Sequence, residues 1–322
     1  PAALPSRRRS CPRGVFAVGA PAPAMLSPST FVAALRPHQW TKNLLIFAPI
    51  ALSKHLFEAD AFLQASLAFA IFCGLSGTVY LINDLADIER DRLHPKKRLR
   101  PLASGALSVG AARVAAVVLG LSCLGLSSLL GRSFLTTAVL YVALNLLYSF
   151  RLKRVVILDV IAISLGFVLR AVAGSVAISV QFSDWLLVCT LLLALFLALA
   201  KRRHELVTLD GTDHREILSE YSPYLLDQMI AVVTASCLMG YAFYTLAPET
   251  VEKYRTDRLA WTIPFVLYGI FRYLYLVHEK DEGGSPTELL LTDRPILIAV
   301  ALWAAALVAI VYTAPGAPAA RI

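Results

Sequence analysis

The stretch VYLINDLADIERDRLHPKKRLRPLASG, residues 79–105, decides how this chain is read. It begins as the end of an apolar block and becomes acidic at Asn83, Asp84, Asp87 and Asp91. Residues four apart share a helix face, so Asn83, Asp87 and Asp91 are expected to form one stripe about 12 Å long, with Asp84 beside it. Oxygen donors crowded at the mouth of an apolar segment suit Mg²⁺, which takes a few carboxylates and completes its shell with phosphate and water. Ionisable groups entering such a segment are energetically costly and are usually kept for function. The plain alternative is a capped helix end whose acids pair with Arg90 and Arg92. HPKKRLRP follows at 94–101 and adds Lys96, Lys97, Arg98 and Arg100. Alone it would read as a basic loop on anionic lipid. Beside the acids it reads as a site for a magnesium-bound diphosphate, with Arg gripping phosphate in two places and Lys supplying a compact charge.

On either side of this motif the chain is dominated by apolar blocks. Of 322 residues, 57% are hydrophobic and 16% charged, against roughly 45–50% and 25% in soluble domains. Mean hydropathy is +0.66. These values exclude a disordered chain, a coiled coil and a disulfide-stapled secreted domain. The blocks have the length of bilayer-spanning helices and lack the period-two alternation of membrane strands. About nine spans are expected: a short, broken one near 39–53 containing Pro49, then 61–83, 108–130, 133–150, 156–177, 184–201, 227–247, 259–277 and 295–313. Loop Lys and Arg number 17 on the side of the acidic motif and 6 on the other, which places the motif and its companion loops in the cytoplasm. The expected class is therefore an all-α, multi-pass membrane protein with a polar cavity facing the cytoplasm. Residues 1–24 are rich in Pro, Ala and Arg and have no acidic residue. They read as translated upstream sequence, a cloning remnant or a transit peptide. They are expected to be disordered, with residues 25–322 forming the catalytic domain.

Other inner segments add cations. KRRHEL, residues 201–206, carries Lys201, Arg202 and Glu205 at helical spacing, with Tyr221 and Tyr224 further along. Topology alone is a serious competing explanation for this run. Arg170 lies within the apolar span 156–177 and needs a partner or a polar cavity, and Asp159, three turns earlier, is a candidate to face the same cavity. RPHQWTKN, residues 36–43, sets Arg36 and Lys42 around Trp40, which also suits an aromatic–basic interface anchor. Four of the five cysteines, Cys73, Cys123, Cys189 and Cys237, sit in apolar blocks and read as small core residues, while Cys11 lies in the N-terminal stretch. No P-loop, GxGxxG, GxSxG or HExxH is present. No basic face suited to nucleic acid is visible, so no nucleic-acid partner is expected.

NDLADIERD resembles the NDxxDxxxD motif of the UbiA superfamily of intramembrane prenyltransferases, and RPLASG resembles its continuation. The resemblance covers residues 30–315 and implies a UbiA-like bundle. RPHQWTKN, HPKKRLRP, LRAVAG and KRRHEL resemble one branch of that superfamily. Its members transfer 5-phosphoribose from 5-phosphoribosyl 1-diphosphate (PRPP) to a polyprenyl phosphate, decaprenyl phosphate in particular, and release diphosphate. The product is a precursor of the arabinose donor for cell-wall arabinan. A second motif, DxxxD, is typical of the aromatic prenyltransferases. Here Asp210 and Asp213 stand at DxxD spacing after KRRHEL, which favours the phosphoribosyl branch. The resemblance implies a bacterial plasma-membrane enzyme with Mg²⁺ as cofactor. Asn83, Asp84, Asp87 and Asp91 would hold the metal, the three aspartates being catalytic. Arg36, Lys42, Arg90, Lys96, Lys97, Arg98, Arg100, Asp159, Arg170, Lys201, Arg202, Glu205 and Tyr221 would line the substrate site. Partners would be PRPP, the lipid phosphate and membrane lipids, with homo-oligomerisation left open. Two rival readings stand beside this one. One is a transferase moving a polyprenyl group from its diphosphate to an aromatic or other small acceptor. The other is a transporter, disfavoured by the single mid-span charge and the lack of an internal repeat.

Overall fold

The computed structural model describes residues 27–95, 97–181, 184–208, 216–280, 289 and 291–315. Among these the regular structure is helical: α1 (Pro28–Ala34), a 3-10 helix (Pro37–Phe47), α2 (Ala48–Leu52), α3 (Ala59–Ala86), α4 (Ile88–Leu93), α5 (Val109–Ser127), α6 (Arg132–Phe150), α7 (Leu158–Ala177), α8 (Asp184–Thr208), α9 (Pro223–Leu246), α10 (Pro248–Tyr254), α11 (Ile263–Glu279) and α12 (Arg294–Thr313). Among the described residues eight helical stretches, those built on α3, α5, α6, α7, α8, α9, α11 and α12, are long and apolar enough to cross a membrane. Their starts carry ordinary helix signals. Ser108, Ser222 and Asp293 accept the backbone N–H groups of Ala111, Leu225 and Ile296, and Pro223 and Pro295 stand in the first turns of their helices.

The expected broken span near 39–53 is not a single helix. Its polypeptide nevertheless runs the depth of the bundle. It starts at Arg36, bonded to Asp84 near the end of α3, and ends at Lys54, whose Nζ donates to the Ala314 carbonyl at 2.9 Å beyond α12. Tyr254 donates to the Leu52 carbonyl at that same far end, at 2.7 Å. With the eight long helices this gives nine candidate crossings among the described residues. Gly174 of α7 lets the segment lie close: a Cβ there would stand 2.2 Å from the Ile46 carbonyl oxygen. Helices α3 and α7 are the most enclosed spans, 61% and 56% buried along their apolar windows, and they carry the polar residues considered below. One apolar core joins the 3-10 helix to α3, α5, α6 and α7. A second joins α7 to α8, α9, α11 and α12. Outward-facing Leu63, Val114, Leu121, Val232 and Ile298 stay exposed, as a lipid-facing surface requires.

Candidate active site

The acidic motif does not form the straight stripe its spacing predicts. Helix α3 stops at Ala86, Asp87 has non-helical dihedrals, and α4 starts at Ile88. The break regroups the carboxylates. Asp84 and Asp91, two turns apart, are both buried, at 2% and 4% exposure, and share Arg100. Its Nη1 donates to Asp84 Oδ1 at 3.2 Å and to Asp91 Oδ2 at 2.5 Å. Arg36 also donates to Asp84 Oδ1 and stacks over the Tyr80 ring at 4.9 Å. Arg36 has φ 53°, a left-handed conformation immediately before Pro37. Pre-proline residues normally avoid helical regions, and strain of this kind concentrates at functional sites. Asp87 turns to Lys153, which donates to Oδ1 and Oδ2 at 3.1 and 2.9 Å. Asn83 is half-buried beside them.

Three carboxylates are thus matched by three cations, and the physical reason is desolvation. A carboxylate buried at the end of a membrane helix needs a charged partner, whereas uncharged Asn83 needs none. Among the described residues no three His, Cys, Asp or Glu side chains converge on one metal-sized point, so the fourfold ligand set expected from the motif is not assembled in this arrangement. One feature does fit a divalent cation. Asp84 Oδ2 is buried and has no hydrogen-bond partner among the described residues, leaving a hard oxygen with free lone pairs in the middle of the motif.

The remaining cations divide into three groups. Lys42 is half-buried and near enough to Lys201, Arg170 and Arg36 to feel their charge. Arg90 is exposed on α4, and on the loop after it Arg98 is exposed and Lys97 half-buried, while Lys96 lies outside the described residues, as do Asp210 and Asp213. Arg170 does not pair with Asp159. It is 7% exposed and donates to Asn43 Oδ1 at 2.7 Å, the Gly166 carbonyl at 2.8 Å and Tyr141 Oη at 2.7 Å. These neutral acceptors, with the Tyr141 and Phe167 rings, turn it into a tie between the 3-10 helix, α6 and α7.

Asp159 instead meets Arg202, at 0% and 2% side-chain exposure. Arg202 Nε donates to Asp159 Oδ2 at 2.8 Å, its Nη1 to Glu205 Oε2 at 2.5 Å and its Nη2 to Tyr148 Oη at 3.4 Å. Tyr221 donates to Asp159 Oδ1 at 2.9 Å and accepts the Ile157 backbone N–H at 2.7 Å. Burial first, and then the Asp159 carboxylate, push its phenol up to about 12, so it remains a donor at neutral pH. Lys201 Nζ lies 3.8 Å from Glu205 Oε1. Sequence reasoning grouped Asp159 with Arg170 because they share a helix; packing paired Asp159 with α8 instead. It also missed Lys153 and Asn43. No local signal marks Lys153, in RLKR at 151–154, as the partner of Asp87, 66 residues away.

The chain matches the UbiA prenyltransferase family over residues 43–287. It is 35% identical to the decaprenyl-phosphate phosphoribosyltransferase of Corynebacterium glutamicum, over 88% of this chain and 87% of that one. It is 32% identical to the decaprenyl-phosphate phosphoribosyltransferase of Mycolicibacterium smegmatis, over 88% and 93%. Among solved structures it resembles a UbiA homolog from Archaeoglobus fulgidus bound to GPP and Mg²⁺, with TM-score 0.68, 20% identity, and coverage of 88% of this chain and 99% of that one. At that identity the likeness is one of fold.

Proposed function

Because this chain belongs to the UbiA prenyltransferase family, we propose that the polar end of its bundle transfers 5-phosphoribose from PRPP to a polyprenyl phosphate, decaprenyl phosphate by analogy with its relatives. The observation that carries the reading is the excess of cations around the motif. Arg36, Arg100 and Lys153 already match its three carboxylates, and Lys42 adds a further cation within electrostatic range of Arg36, Arg170 and Lys201. A reaction bringing together a diphosphate, a 5-phosphate and an acceptor phosphate needs that surplus. A prenyl diphosphate with an aromatic acceptor brings a single phosphorylated head and needs much less.

In this reading Asp84, Asp87 and Asp91, with Asn83, would hold Mg²⁺, Asp84 Oδ2 being the oxygen least committed to protein partners. When bound, Mg²⁺ neutralises charge that builds on the departing diphosphate. Arg36 and Arg100 lie within reach of the same phosphates and orient them. Lys42, Lys153 and Lys201 supply compact positive charge, and Arg90 of α4 with Lys97 and Arg98 of the following loop gather the anion from solution. An oxygen of the acceptor phosphate forms the new bond to C1 of the ribose. The C1–O bond to diphosphate breaks, and its electron pair leaves with the diphosphate. The attacking oxygen is already anionic, so no side chain has to remove a proton. The lipid tail stays among the apolar helices, and the site faces the cytoplasm of a bacterial plasma membrane.

The test uses purified protein in detergent with Mg²⁺, supplied in one arm with polyprenyl phosphate and labelled PRPP. A second arm holds a polyprenyl diphosphate and 4-hydroxybenzoate. Label in the lipid, abolished by EDTA, is the expected result. A prenylated aromatic product without labelled lipid would overturn the choice of donor while keeping the family.

A further inference from the structure

The connection between α6 and α7 contains a strained corner. Ile157 has φ 69° and ψ −43°, and the Leu158 N–H donates to the Val156 carbonyl at 2.8 Å. This is a γ-turn with positive φ at its centre, a rare and strained geometry, and a β-branched residue is the least suited to it. Apolar packing anchors Val156 against the core but does not hold the side chain of Ile157, which is 44% exposed. Hydrogen bonding does. Tyr221 Oη accepts the Ile157 N–H at 2.7 Å and donates to Asp159 Oδ1 at 2.9 Å. Asp159 is anchored in turn by Arg202 of α8 at 2.8 Å. Four residues before the corner, the 3-10 helix Leu152–Arg154 carries Lys153, which grips both oxygens of Asp87.

We infer that Tyr221 is a positioning residue: its hydroxyl clamps the γ-turn at Ile157 and thereby aims Lys153 at Asp87 of the acidic motif. This rests on the reading of the motif as the phosphoribosyl-transfer site. Tyr221 thus acts through the α6–α7 corner and does not touch substrate, in contrast to the substrate contact expected from its sequence context. Without the clamp, the backbone at 157 relaxes to negative φ and the short segment bearing Lys153 turns away from Asp87. Glycine adopts positive φ without a steric penalty, so Ile157→Gly should remove the strain that the clamp has to offset.

The experiment compares wild type, Tyr221→Phe, Ile157→Gly and the double variant, each purified in detergent. Two readouts are taken: the KM for PRPP against kcat, and the rate at which trypsin cuts after Arg151, Lys153 and Arg154. Tyr221→Phe is expected to raise KM by about tenfold with a smaller change in kcat, and to speed cleavage at the corner. Ile157→Gly alone should leave both near wild type, and in the double variant it should bring both back to within about twofold of that level. Failure of Ile157→Gly to restore either readout, or no change in either for Tyr221→Phe, overturns the inference. Should Tyr221→Phe not yield folded protein, recovery of folded protein in the double variant supports the clamp, and its absence refutes it. If wild type transfers no phosphoribose, the functional reading fails, and the trypsin pattern alone decides the role of Tyr221.

Discussion

Asp87 separates chemistry from stability better than any other residue of the motif. Its carboxylate is partly exposed and holds one cation, Lys153, whereas Asp84 is buried under two arginines. Truncating one partner of a buried pair strands the other and destabilises by about 3–5 kcal/mol, so Asp84 variants would confuse folding with turnover. Asp87→Asn keeps the shape and removes the charge. It should melt near the wild-type temperature in detergent and lose about 100-fold or more in PRPP turnover. Near-normal turnover would remove Asp87 from the proposed metal site. The position of Asp87 was legible in the motif; its partner was not. Lys153 meets it only because α3 and α6 end side by side at the same end of the bundle.

At the scale of elements, two contacts make separate predictions. The first is the approach of the 3-10 helix to α7. Gly174→Ala would push a methyl group against the Ile46 carbonyl and should destabilise by about 1–3 kcal/mol, as overpacking generally does. It should also weaken PRPP binding, because the displaced segment carries Arg36 and Lys42. A thermal melt and a KM measurement on the same sample check both. The second contact ties α11 to α12. Arg272 donates to Asp293 at 2.9 and 3.4 Å, and Asp293 caps α12 through the Ile296 N–H. The Arg272 hydrogen bond, helped by that capping bond, holds the Asp293 carboxyl below its usual value of 3.8. A depressed acid stabilises the folded state above its unfolded value and loses that contribution as pH falls through its folded value. The melting temperature should therefore decline as pH drops below about 4, and Asp293→Asn should start lower and flatten that part of the curve. A parallel acid profile in the variant would show that other groups set the decline.

At the scale of the whole molecule, the helices alternate so that the acidic motif, Lys153, Arg202 and Tyr221 gather at one end, opposite Lys54, Tyr254 and Ala314. A cysteine at Arg98 should react with an impermeant thiol reagent only in inside-out vesicles, and one at Arg255 only in right-side-out cells. The reverse pattern would invert the proposed orientation. The approximate number of crossings and the gathering of the acidic motif at one end of the bundle followed from sequence alone; which side of the membrane that end faces is what the labelling experiment tests. Block length against bilayer thickness and the distribution of Lys and Arg are local quantities, and no packing detail is needed to read them. The broken first crossing was legible as well, because Pro49 interrupts a block too short for one helix. Which cation serves which carboxylate depended on tertiary structure. Arg170 finds Asn43 across 127 residues and Arg202 finds Asp159 across 43, pairings set by which helices lie side by side and at what depth. The left-handed Arg36 and the γ-turn at Ile157 were equally invisible in the sequence. Nothing in an Arg or an Ile favours positive φ, and such conformations persist only where surrounding contacts over-determine them.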